Sequence, residues 1–117
     1  MLFRIDPASG VAIFDQLAAS VRAELARGGL RAGDRLPAAR EVAAALDINI
    51  HTVLKAYQEL RDDGLIDLRR GRGAVVADGA VPAPELQSAV RELVAEARHR
   101  GVAVGTLIAL IREEYTR

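Results

Sequence analysis

The 117-residue sequence predicts a mainly α protein with one small β-hairpin, an α+β chain in which three helices lead into the hairpin and two more follow it. Three observations carry that prediction. Apolar residues recur at helical spacing in five separate stretches between Ile13 and Tyr115. Glycine and proline punctuate the gaps between those stretches. Finally, "LIDLRR", "GRG" and "AVVA" read as strand, tight turn and strand.

The first helix carries the stripe Ile13, Leu17, Val21 and Leu25, and Gly28 and Gly29 stop it. "LRAGDRLP" is a loop, with Pro37 placed to open the second helix. That helix, "AAREVAAAL", is short and turns Val42, Ala43 and Leu46 inward. After the turn "DINI", the stretch "NIHTVLKAYQEL" makes a third helix with Val53, Ala56, Tyr57 and Leu60 on its buried face. Asn49 is a good N-cap for the amide of His51 or Thr52. Asn49, His51, Thr52 and Lys55 crowd the helix start, whereas Glu59, Asp62 and Asp63 lie at its far end. Two short helices joined by a tight turn form a helix-turn-helix. Gly64 ends the third helix, and the hairpin follows, its tip made by Arg70, Gly71, Arg72 and Gly73. Helix, helix-turn-helix and arginine-tipped hairpin, in that order, are a winged helix-turn-helix. Glycines at the tip let backbone approach a partner closely, and arginine enters a narrow negative groove.

"GAVPAPE", with Pro82 and Pro84, reads as a linker. Beyond it Leu86, Val90, Leu93 and Ala97 form a stripe close to a heptad seam. Gly101 ends that helix behind Arg98, His99 and Arg100, which suit its negative end. The last helix carries Val104, Leu107, Ile108, Ile111 and Tyr115. The expected organisation is a winged helix-turn-helix domain over 11–79, a linker over 80–84 and a two-helix region over 85–117. Two amphipathic helices alone cannot bury both apolar faces, so they need the wing domain or a second subunit. A two-fold dimer, packed through Leu86, Val90, Leu93, Leu107, Ile111 and Tyr115, satisfies that need.

The formal net charge of zero would ordinarily argue against a nucleic-acid partner. Its distribution points the other way: Arg69, Arg70 and Arg72 lie between Asp67 and Asp78 with no acid among them. With no cysteine there is no disulfide, thiol or Cys-ligated metal chemistry. His51 and His99 lie far apart without an organised acid set, so no metal site is expected. No phosphate-cradling glycine loop, nucleophile–base pair or carboxylate pair marks an enzyme, and no cofactor is expected. No apolar run approaches the ~20 residues of a membrane span. The start "MLFRIDPASG" lacks a signal-peptide core, so the expected location is cytoplasmic.

Residues 11–78 resemble the DNA-binding domain of the GntR family of bacterial transcription regulators, through "GDRLPAAREVA", "TVLKAYQELRDDGLI" and "GRG" ahead of a strand. The "KAYQEL" wording and the short tail look most like its YtrA subfamily, whose members lack a large effector-binding domain. The resemblance implies DNA contacts at Arg40, at the start of the third helix (Asn49, His51, Thr52 and Lys55) and at the wing tip (Gly71, Arg72 and Gly73). Three positions depart from the family pattern. Ala38 stands where a serine cap is frequent, which costs roughly 1 kcal/mol of capping. Asp47 replaces a frequent glycine, and Ile50 stands where other branches often place arginine, so the site read should differ. The expected function is a sequence-specific regulator, a repressor binding an inverted-repeat operator in double-stranded DNA as a homodimer. The alternative is a winged helix used only for protein–protein contact. No motif specifies the operator or a small-molecule effector.

Overall fold

The computed structural model describes residues 3–80 and 83–117, so Pro82 of the expected linker lies outside the described residues. The elements are α1 (Ile13–Arg27), α2 (Ala39–Leu46), α3 (Ile50–Asp62), β1 (Ile66–Arg69), β2 (Gly73–Val76), α4 (Pro84–His99) and α5 (Val104–Tyr115). They fall into two compact units that divide between Val81 and Pro82.

In the first unit α3 packs against both α1 and α2. Leu17, Val21 and Leu25 of α1 meet Val42 of α2 and Val53, Ala56, Tyr57 and Leu60 of α3 in one core, which Ile66 and Val76 of the hairpin complete. The core begins at Phe3, ahead of residue 11, and takes in Ala80. The Gln16 side chain holds the leading segment in place: the Asp6 amide donates to Oε1 at 2.6 Å, and Nε2 donates to the carbonyls of Asp6 and Val11. Arg22 of α1 pairs with Asp63 at the end of α3 across the surface.

Gly28 closes α1 in the left-handed region, as the stop signal predicts. Pro37 does not open α2; it lies two residues ahead of the first helical residue, and Ala38 caps without a side-chain hydrogen bond. The reason lies in the loop before it. Gly33 and Leu36 donate to the carbonyls of Val76 and Ala74, and Val76 donates to that of Asp34, so residues 34–36 leave the Gly33 turn and run alongside β2. Arg35 forms an isolated bridge with Val75 within this pairing. β1 and β2 pair antiparallel with Ile66 opposite Val76 and Arg69 opposite Gly73, leaving Arg70, Gly71 and Arg72 as the turn.

The turn between α2 and α3 contains the one non-glycine residue with positive φ among the described residues, Asp47 at 55°. An L side chain is strained there, and a carboxylate at a helix C-terminus faces the negative end of the dipole. Asp47→Gly is therefore expected to stabilise the fold by about 0.5–1 kcal/mol, even after the extra unfolded-state entropy of glycine. Urea unfolding checks this: the midpoint should rise with m unchanged, and a lower midpoint would show that the Asp47 side chain contributes something glycine lacks.

In the second unit α4 opens with Pro84 at its first turn, and Gly101 ends it with φ 72°. The Val102 amide donates to the Ala97 carbonyl at 2.9 Å, which turns the chain into α5. Ala97 is the one buried residue here among those described, while Leu86, Val90, Leu93, Ile108, Leu110 and Ile111 are each 40–57 % exposed and Tyr115 is 88 % exposed. Of the heptad-like stripe, Ala97 is covered and Leu86, Val90 and Leu93 are left exposed.

Candidate nucleic-acid interface

The first turn of α3 contains no acid, and Asn49 caps it with Oδ1 accepting from the His51 amide at 2.8 Å. That bond commits the Asn49 carbonyl oxygen to the helix itself. His51, Lys55 and Gln58 project from the face opposite the Val53–Tyr57–Leu60 stripe and are exposed, while Thr52 is half-buried on the flank. Arg40, near the start of α2, is also exposed. No described carboxylate pairs with Arg40, Arg70 or Arg72, so these three guanidinium groups present undiminished charge. Arg69 does pair, with Asp67 at 3.4 Å.

Three contacts that hold this surface were not read in the sequence. The Arg35 Nε donates to the Arg72 carbonyl at 3.1 Å, which ties the wing tip to the loop ahead of α2 and leaves the Arg72 side chain outward. Its signal is weak, since the loop looks irregular and its pairing with β2 spans 40 residues of chain. Lys55 lays its ammonium 3.9 Å from the centre of the Phe14 ring, a cation–π contact that holds the charge on the α1 side of α3. Tyr57 is core, as its place on the apolar stripe predicts, and its hydroxyl donates to the Pro37 carbonyl at 2.6 Å, fixing the approach to α2. Burial pushes its phenol pKa well above the ordinary tyrosine value, with the Glu41 carboxylate adding to the rise, so it remains a donor.

A helix start without acids, a capped first turn and an arginine-tipped hairpin thus lie on one unit. The family model described as bacterial regulatory proteins, gntR family, matches residues 14–76. The chain belongs to the GntR family. Among its relatives the HTH-type transcriptional repressor YtrA of Bacillus subtilis is 30% identical, over 96% of this chain and 91% of that protein. A solved structure of YtrA from Sulfolobus acidocaldarius, described as a GntR-family transcription factor, is 32% identical over 85% of this chain and 99% of that one, with a TM-score of 0.61. The AraR DNA-binding domain, solved with its operator, shares the fold at 23% identity and a TM-score of 0.53, covering 66% of this chain and 95% of that one. The fold is the winged helix of GntR regulators. This chain is a GntR-family transcription regulator with a DNA-binding helix-turn-helix domain, and its relatives are regulators rather than enzymes. No described helix is long and apolar enough to cross a membrane.

Proposed function

We propose that this GntR regulator is a repressor that binds an inverted-repeat operator as a homodimer. The observation that carries the reading is the pairing of an uncompensated cationic surface on the first unit with an uncovered apolar face on the second. In this reading α3 enters the major groove N-terminus first, so that His51 meets base edges while Asn49 and Thr52 order the helix start against the backbone. Arg40 and Lys55 lie against phosphates on either side. Arg70, Gly71, Arg72 and Gly73 follow the adjacent groove, where glycine lets the turn approach closely. Leu86, Val90, Leu93, Leu107, Ile111 and Tyr115 pack against their copies in the second subunit. Repression is supported by the Bacillus relative, a transcriptional repressor that aligns over nearly the whole chain.

The test is selection of bound duplexes from random DNA with the full chain, followed by mobility shifts over a range of salt. The expected outcome is an inverted repeat whose half-sites are centred about one helical turn apart, bound with strong salt dependence. Enrichment of a single unrepeated motif would overturn the dimeric reading. No enrichment, and no salt-dependent shift, would favour the protein-contact module instead.

A further inference from the structure

The wing-side flank of α3 carries two branched aliphatic residues that the core does not use. Ile50 and Leu54 lie one helical turn apart and are 37 % and 39 % exposed, and Leu68 on the hairpin is 44 % exposed. Leu54 and Leu68 line a recess of about 370 Å³ between the start of α2, α3 and the hairpin, with Arg69 and Arg70 also on its wall. Aliphatic side chains at such a place can neither donate nor accept, so they contribute nothing to hydrogen-bonded base reading. In the major groove the one apolar group on a base edge is the C5-methyl of thymine. The recess is lined mainly by apolar side chains, and Arg70 on its wall, which no described carboxylate pairs, continues the cationic surface assigned to DNA, so an apolar group carried on a polyanion suits it.

We propose that Ile50 and Leu54 select thymine within each half-site by packing against its C5-methyl group. This rests on the reading that α3 enters the major groove, and it names a specificity that reading leaves open. Contact with the methyl removes apolar surface from water on both partners and is sensitive to the loss of one carbon. A cytosine at the same position offers no methyl and places an amino group against Leu54.

The test uses the full chain and the operator obtained by selection. Each thymine is replaced in turn by deoxyuridine, which removes the methyl and leaves hydrogen bonding intact. The expected result is that one or two replacements per half-site each weaken wild-type binding by about fourfold, the worth of one buried methyl group. Ile50→Ala and Leu54→Ala, both at exposed positions and checked by thermal melting, should bind the thymine and deoxyuridine duplexes equally. Salt-dependent operator binding that no deoxyuridine replacement weakens would overturn the proposal, as would alanine variants that keep the wild-type preference or an operator with no fixed thymine. Absence of salt-dependent binding to any duplex is a separate outcome, because it overturns the DNA reading itself.

Discussion

A chain cut after Ala80 is expected to fold, to sediment as a monomer and to bind the operator about 10²–10⁴-fold more weakly than the full chain. Folding should survive because every member of the hydrophobic core lies between Phe3 and Ala80. The loss follows from linkage: two domains joined in a dimer bind the second half-site as an intramolecular event, at an effective concentration that an unlinked monomer does not reach. In the proposed dimer, the apolar residues left 40–57 % exposed on α4 and α5 would supply the driving force for that link. A full-length double variant, Leu93→Asp with Ile111→Asp, should give the same two results by placing uncompensated carboxylates in the interface. Analytical ultracentrifugation and operator titration decide the matter. A truncation that still dimerises, or that binds as tightly as the full chain, would remove the tail from this role.

Arg72→Ala is expected to weaken operator binding by about 1.5–3 kcal/mol, the range of a charge-assisted hydrogen bond, without lowering the melting temperature. The two effects separate because the fold uses only the main chain of Arg72. Its carbonyl accepts from Arg35, and alanine keeps that carbonyl. The guanidinium has no carboxylate partner among the described residues, so its loss leaves no buried group unpaired. Plotted against salt concentration, the logarithm of affinity should flatten by roughly one unit of slope for each phosphate contact removed. Unchanged affinity together with an unchanged slope would take the wing out of the interface.

Periodicity locates all five helices, because each carries one continuous apolar stripe, buried in α1 to α3 and largely exposed in α4 and α5, and glycine or proline marks most ends. The hairpin was equally legible from Gly71 and Gly73 around Arg72, both of which adopt positive φ. What escaped notice depends on pairing across long chain separations. The run of residues 33–36 beside β2 has no local pattern, and neither the place of Pro37 nor the Arg35–Arg72 contact could be read without it. Lys55 is legible as a candidate DNA contact at the start of α3, but its Phe14 partner sits on another helix and only packing brings the two together. Asn49 is legible both as a cap and as a candidate DNA contact. The structure shows the cap, and in doing so engages the oxygen that bidentate adenine pairing also requires. Ile50 was seen as a departure from the family pattern, and its exposure gives that departure a physical use.

The separation of the core from the tail has a consequence for how such regulators diversify. No residue of α4 or α5 belongs to the hydrophobic core that holds α3 and the hairpin in place. On the proposed dimeric reading, a change in the tail would alter which subunits assemble while the geometry proposed to meet the bases stays as it was. A change on the outward face of α3 can shift the preferred site without disturbing assembly. Two copies of such a gene in one cell can thus become insulated from each other in two independent steps, first by refusing to pair and then by addressing different promoters. A chimera carrying this α4–α5 segment on another regulator's wing domain would keep the donor's choice of subunit and the recipient's choice of sequence.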